Sequence, residues 1–289
     1  MRRKLLLFSL IFWALYSCND GDIIVTTFEF DDATLQSCFG SDVVVFFKIN
    51  NDPAESISVQ IPGDESLFVE SDTLNFTLNG NTSKVNYRLF NEAVDASYFC
   101  NSIPPTTPSI SQEYLANDGS ATLFITTIFD DNDGLDPEFE GDGDTDGDGL
   151  PDFYDFDDDG DNVPTLSEIG IDPQNPQDTD GDGIPNYLDT DDDNDGILTR
   201  YEDTNIDLDP TNDVTDPLAG PDFLNPAVSV STVIDIYRIH EFSFNSDVRV
   251  LLNDLVLISG EEQIIQESLD LGTQTGILSG SLFVTPDFQ

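Results

Sequence analysis

DTDGDGLPDFYDFDDDGDNVPTLSE (residues 144–168) and DTDGDGIPNYLDTDDDNDGILTRYE (residues 178–202) are one acidic pattern written twice, 34 residues apart. Aspartates that alternate with small residues bring several carboxylates to one point, and their repulsion is tolerable only around a multivalent cation. Each unit divides into two twelve-residue loops. The first loops place Asp144, Asp146, Asp148, Gly149, Asp152 and Asp155, then Asp178, Asp180, Asp182, Gly183, Asn186 and Asp189, at positions 1, 3, 5, 6, 9 and 12. The second loops place Asp157, Asp159, Asp161 and Glu168, then Asp191, Asp193, Asp195 and Glu202, at positions 1, 3, 5 and 12. Gly196 holds position 6 of the last loop, and Asn162, the next-best residue for a left-handed turn, holds it at 157–168. Converging odd-numbered oxygens, a sharp turn at position 6 and a closing acid at position 12 are the layout of a Ca²⁺ loop. Oxygen-only ligands favour Ca²⁺ over zinc, and flexible carboxylate shells favour it over Mg²⁺.

The loops are not helix-flanked. Pro151, Pro164, Pro185 and Gly181 break any entering helix, leaving only short turns near Thr165–Glu168 and Thr199–Tyr201. The D-x-D-x-D-G-x-x-D-x-x-D pattern followed by clustered aspartates resembles the thrombospondin type 3 repeat over about 130–205. The resemblance implies an array of Ca²⁺ ions wrapped by irregular chain, with no free-standing hydrophobic core. The animal repeats carry disulfide-forming cysteines and this segment has none, which shifts stability onto the ions. The four loops hold 19 acidic residues, more than one ion per loop can neutralise, and Asp155, Asp158, Asp189 and Asp192 are candidates to bridge neighbouring ions. A fifth, partial copy keeps Asp131, Asp133, Gly134 and Glu140 but has Phe129 at position 1, so it binds weakly or caps the array. Expected affinities are on the order of 10⁻⁴ to 10⁻³ M per site.

The flanks read as β structure. Ile23–Phe30, Val43–Ile49, Ser56–Ile61, Leu74–Leu78, Val85–Phe90 and Ala121–Ile128 alternate β-branched and aromatic residues between Asn-, Gly- and Pro-rich turns. After a Pro/Asp/Asn linker, Val228–Ile239, Val248–Leu252 and Leu255–Ile258 repeat that pattern, with Asn253-Asp254 as the expected turn between the last two. The fold class is mainly β: antiparallel, sandwich-like segments flanking an irregular, calcium-stabilised Asp-rich segment. The expected divisions are a leader at 1–17, an N-terminal β domain at 18–128, the repeats at 129–205, a linker at 206–226 and a C-terminal β segment at 227–289. A β segment of about 63 residues is marginal alone, so two layouts stay open: two β domains separated by a rigid acidic spacer, or one β unit interrupted by the acidic insert.

Met1-Arg2-Arg3-Lys4 followed by the apolar run Leu5–Leu15 is an export leader, too short to span a bilayer comfortably. Its end, Leu15-Tyr16-Ser17-Cys18, resembles the lipobox of bacterial lipoproteins, although Tyr16 stands where a small residue is usual. The resemblance implies that Cys18 becomes a lipidated N-terminus tethering the chain to the membrane. Asp20 and Asp22 just after it resemble surface-export signals, and the expected location is the cell envelope, as an outer-membrane lipoprotein exposed at the surface. Cys38 and Cys100 remain, and an oxidising compartment favours pairing them, with two buried thiols as the alternative. Closing that 62-residue separation contributes on the order of 4 kcal/mol.

Without Arg2, Arg3 and Lys4, six basic residues face 58 acidic ones, a net charge near −52. Such a chain repels nucleic acid and attracts cations. Residues 130–205 hold 28 of the 58 acidic residues and one basic residue, Arg200, while 21 Phe and 8 Tyr argue that the flanks bury real cores. No phosphate loop, nucleophile elbow or zinc-protease motif occurs, and the single histidine, His240, reads as an ordinary surface or half-buried residue. The chain is therefore expected not to be an enzyme. Two functions fit: a Ca²⁺-stiffened spacer presenting β modules for adhesion or surface-complex assembly with a protein partner, or a carbohydrate-binding lipoprotein using calcium structurally. Trp13, the only tryptophan, lies in the leader, which weakens the glycan reading.

Overall fold

The computed structural model describes residues 28–288 except Glu29, Asp31, Ser102 and Pro104. The leader, Cys18 and most of the expected Ile23–Phe30 strand lie outside the described residues. Nine strands form one antiparallel sheet: β1 (Gln36–Phe39), β2 (Val43–Asn51), β3 (Ala54–Pro62), β4 (Asp72–Thr77), β5 (Lys84–Phe90), β6 (Ile110–Ala116), β7 (Ser120–Asp130), β8 (His240–Ser259) and β9 (Glu262–Val284). Their order is β1-β2-β3-β5-β6-β8-β7-β4, with β9 on the other edge of β8. Cys38 in β1 is disulfide-bonded to Cys100. Among the described residues, no helix is long and apolar enough to cross a membrane.

The strands before and after the acidic segment belong to the same sheet, so the second of the two open layouts holds. β7 pairs with β8 from Ser120↔Asn253 to Asp130↔Ser243. β6 and β7 follow one another along the same edge of β8, since Leu115 and Ala116 face Ile258 and Leu257. The break between them, Asn117–Gly119, lets the sheet fold over. Gly119 has φ +107°, and a Cβ there would lie 2.7 Å from the carbonyl oxygen of Asn253, so only glycine fits. Val44, Phe46, Ile57, Val59 and Ile61 from β2 and β3 share one core with Leu123, Ile125, Val248, Val250 and Leu252 from β7 and β8. Phe68 caps the fold-over. Its ring packs edge-on against Phe39 and Phe46, and its carbonyl accepts the Ser246 hydroxyl at 2.5 Å.

Two expectations fail here for physical reasons. Asn253-Asp254 is not a hairpin turn, because β8 runs through it. Burial alternates from His240 to Leu252, slips by one at Asn253-Asp254, and resumes at Leu255 and Leu257. Asp254 takes the left-handed conformation, φ +54°, and this irregularity restores the inward face after the slip. Val228–Ile239 is not a strand either. Its buried residues, Ile234 and Tyr237, are followed by His240 at intervals of three rather than two, and its hydrogen bonds go to the acidic segment instead of to a sheet.

Candidate metal centre

The acidic segment leaves the sheet at Asp130 and returns at His240, beside the point of departure, because Asp130 and Ser243 are paired across β7 and β8. It therefore projects from one end of a single β unit and does not separate two. Phe129 on β7, Phe242 on β8 and Tyr154 of the first acidic loop pack together, with ring centroids 5.0–5.6 Å apart. This explains why the fifth copy has Phe129 at position 1: the side chain belongs to the junction with the sheet.

The alternating aspartates have a division of labour. One oxygen of Asp131, Asp133, Asp146, Asp148, Asp159, Asp161 and Asp193 accepts the backbone N–H two residues on, at 2.7–3.2 Å. The second oxygen of each is buried and lacks a hydrogen-bond partner. Asp182 makes the same local bond to Ile184 N–H at 2.8 Å, Asp189 to Asp191 N–H at 3.1 Å and Asp195 to Ile197 N–H at 2.8 Å. The acids at position 1 fold the loop over a longer reach: Asp144 to Gly147 N–H, Asp157 to Asp161 and Asn162, Asp178 to Gly181 and Gly183, and Asp191 to Gly196. In those seven aspartates one oxygen shapes the turn and the other is left buried and free. That is the physical content of D-x-D-x-D.

These oxygens gather into cages. In each of four oxygen-only groups, one ligand atom per residue lies within 4.8 Å of the others: Asp144, Asp146 and Asp148; Asp159, Asp161, Glu168 and Asp192; Asp178, Asp180 and Asp182; and Asp131, Glu140 and Asp158. Asp159, Asp161, Glu168 and Asp192 are all buried, and both oxygens of Glu168 and of Asp192 have no hydrogen-bond partner. Both oxygens of Glu202 are likewise buried without one. Four carboxylates stripped of water at one point would be prohibitive unless they were protonated or shared a multivalent cation. Burial, with neighbouring carboxylates adding to it, pushes Asp158 and Asp192 up to about 10 and Asp131, Glu140 and Glu202 up to about 8. The same causes hold Asp159, Asp161 and Glu168 well above the ordinary carboxylate range. The donor set fits Ca²⁺: many carboxylate oxygens at flexible spacing.

Two of the four expected bridging residues reach back to a preceding cage. Asp158 joins Asp131 and Glu140, and Asp192 joins Asp159, Asp161 and Glu168. Both are held by a threonine seven residues on, whose hydroxyl accepts the aspartate N–H: Thr165 for Asp158 at 3.1 Å and Thr199 for Asp192 at 3.3 Å. The partial fifth copy thus becomes a three-carboxylate group, its missing first acid replaced by Asp158.

Asp152 and Asn186, expected as position-9 ligands, have another task. Asp152 accepts from the Thr145 N–H at 2.8 Å and from its hydroxyl at 3.0 Å. Asn186 accepts from the Thr179 N–H and donates to its hydroxyl, both at 2.9 Å. They clamp the loop. Asn in place of Asp152 would reproduce what Asn186 already does, so Asp152→Asn should leave calcium affinity within about twofold, whereas Asp148→Asn, which removes charge from a cage, should lower it about tenfold or more. Calorimetric titration of the two variants checks the distinction.

The clamp also occurs a third time. Asp222 accepts from the Thr215 N–H at 2.6 Å and from its hydroxyl at 2.9 Å. As Asp152 N–H bonds Gly143 O and Asn186 N–H bonds Gln177 O, Asp222 N–H bonds Asp213 O, each at 2.8–2.9 Å, and each is followed by a single 3₁₀ turn after a proline. Between the clamps, Asp203 folds the backbone over Ile206, Asp207 and Leu208 as the position-1 acids do. The stretch 206–226, expected as a linker, is built from the same turns. Val214 and Leu218 stand where Asp144 and Asp148 stand in the first unit, so it keeps the scaffold and loses ligands. The legible sequence clue was Thr and Asp or Asn seven apart with Pro just before the latter.

The strap 228–239 runs back along the array. The Ser229 hydroxyl donates to Asp195 at 2.6 Å, Thr232 N–H to the Tyr201 carbonyl at 2.6 Å, and Asn162 Nδ2 to the Ile236 carbonyl at 3.2 Å. Arg238 returns two bonds to Asn162, through its N–H at 2.9 Å and its guanidinium at 2.8 Å. Asn162 has φ +74°, so it performs the turn and also holds the strap, which glycine cannot. Asn162→Gly should preserve calcium binding while speeding amide exchange over 228–239, a loss of about 1–3 kcal/mol locally. Hydrogen-exchange mass spectrometry reads both regions.

His240 is not a surface residue. It is fully buried, with Nδ1 2.7 Å from Asp155 and 3.9 Å from Asp148. Comparison with known families finds a match to a model described as BamM C-terminal over residues 170–217, about a sixth of the chain. Comparison with curated proteins and with solved structures returns no match.

Proposed function

We propose that the chain is a non-catalytic, calcium-dependent envelope protein. Asp144, Asp146 and Asp148; Asp159, Asp161, Glu168 and Asp192; Asp178, Asp180 and Asp182; and Asp131, Glu140 and Asp158 hold Ca²⁺ in a stiff arm projecting from one β unit. Asp191, Asp193, Asp195 and Glu202 form a further loop of the same kind. The observation that carries the calcium reading is the set of buried carboxylate oxygens without hydrogen-bond partners in the groups around Asp148, Glu168 and Glu140; the more exposed Asp178, Asp180 and Asp182 join by repeat position and convergence. The arm replaces the expected spacer, since its two ends leave adjacent strands.

The short BamM C-terminal match falls on this arm, over the second unit and into the third clamp, and it supports a role in outer-membrane assembly. In this reading the lipid at Cys18 tethers the chain at the outer membrane, and the arm docks a protein partner of the assembly apparatus only when calcium has ordered it. The test deletes 131–239, joining Asp130 to His240 through a short turn, in cells that make the protein. A fall in outer-membrane barrel proteins that full-length chain reverses is the expected result. Unchanged barrel levels with the truncated chain correctly tethered would overturn the assembly role and leave the calcium reading standing.

A further inference from the structure

The four oxygen-only cages do not account for His240, the only histidine in the chain. It is the first residue of β8, paired with Val284, and its ring is fully buried where the arm meets the sheet. Tyr237 and Phe156 flank the ring at centroid distances of 6.3 Å. Nδ1, Asp148 and Asp155 supply ligand atoms that lie within 4.8 Å of one another. Neither ring nitrogen makes an aligned hydrogen bond, and the second oxygens of Asp148 and Asp155 are also buried without partners.

Nδ1 lies 2.7 Å from Asp155 Oδ1, an oxygen that already accepts the Asp157 N–H at 3.1 Å, so the contact is close without being an aligned ring N–H bond. Such a close, unaligned approach is also what two neighbouring ligands of one cation would show. We propose that His240, Asp155 and Asp148 form a mixed nitrogen–oxygen site for a d-block divalent cation of the zinc or cobalt class, distinct from the calcium cages. The choice of cation follows from the donors. Ca²⁺ draws on oxygen ligands and gains little from imidazole, whereas imidazole suits Zn²⁺ and its neighbours. A chain this acidic attracts every cation, so ligand type has to provide the selectivity. Asp148 also belongs to the cage with Asp144 and Asp146, so the two kinds of ion share a carboxylate. The site ties the first acidic loop to the start of β8, fixing where the arm leaves the sheet.

This inference stands on His240 and does not depend on the outer-membrane role. Its test keeps the mature full-length chain in millimolar Ca²⁺, so the cages are supplied, and titrates Co²⁺ as a visible-absorbing probe. One equivalent per chain should bind with d–d bands of a nitrogen-containing site, and Zn²⁺ should displace it. His240→Gln should weaken Co²⁺ binding by more than roughly 100-fold, since loss of even an outer-shell partner costs 10–100-fold, with Ca²⁺ uptake retained. Zinc-edge X-ray absorption of the unmutated chain carrying one equivalent of Zn²⁺ should show imidazole scattering, which keeps the test independent of how the variant folds. Co²⁺ uptake undiminished in His240→Gln, no uptake above Ca²⁺ competition, or an oxygen-only zinc shell would each overturn the proposal. Failure to bind Ca²⁺ with intact Co²⁺ binding would instead count against the calcium cages alone.

Discussion

Chelation of calcium is expected to unfold residues 131–239 while the nine-stranded sheet stays folded. The sheet has a contiguous apolar core, and among the described residues neither hydrophobic cluster contains a residue from 131–239. The buried apolar side chains of the arm are few and scattered: Val163, Ile169, Phe223, Ile234 and Tyr237. What it buries instead are carboxylates, and without cations the buried cages are left with protonation as their compensation, at a cost that grows as pH rises. The ends of the arm are held by Asp130 and His240, both in paired strands, so its loss does not require the sheet to open. Hydrogen exchange in chelator should show 131–239 unprotected and β2, β3, β7 and β8 protected, with Ca²⁺ restoring the arm. Equal protection of the arm in chelator would contradict this.

Glu168→Gln should act with opposite signs in the two states. With calcium present it removes a charged ligand from the most buried cage and should weaken that site at least about tenfold, because affinity follows ligand charge. In chelator it removes one of four buried carboxyls that must either stay charged at one point or hold a proton against the solution pH, so the variant should be more stable than the parent. The pH dependence follows the same logic. Asp158 and Asp192 are raised to about 10 and Glu140 and Glu202 to about 8 by burial and neighbouring charge. A carboxyl raised in the folded state holds its proton there when the unfolded chain, titrating near 4, has lost it. The contribution of these groups to the metal-free arm should therefore be fully present below about pH 4 and be lost as pH rises through 8–10. With calcium the trend reverses, since protons compete with the ion for the same oxygens. Thermal melts of parent and Glu168→Gln at pH 5 and pH 8, with Ca²⁺ and with chelator, read all four signs.

The repeats were legible because their chemistry is local. An Asp oxygen that accepts from the N–H two residues on needs only the right neighbours, so D-x-D-x-D declares its geometry in one dimension. The strand positions in β2, β3, β5 and β7 were legible for a similar reason, through short β-branched and aromatic runs between turn residues. Contacts that join distant segments were not. Nothing local announced that Asp158 completes the group around Glu140, or that His240 lies against Asp155. Val228–Ile239 has β composition but spends its hydrogen bonds on the arm, and Asn253-Asp254 has turn composition but sits inside β8. The third clamp was hidden because Val214 and Leu218 erased the acidic signature while Thr215, Pro221 and Asp222 kept the fold.

In the proposed reading cations, rather than apolar packing, build the segment between β7 and β8. The most direct measurement of this is the calcium retained per chain after equilibrium dialysis at millimolar Ca²⁺, read by elemental analysis alongside exchange protection of 131–239. At least four ions per chain, one for each of the four oxygen-only groups named above, lost together with the protection on chelation, is the predicted result. A chain that retains one ion or none while the segment stays protected would contradict it.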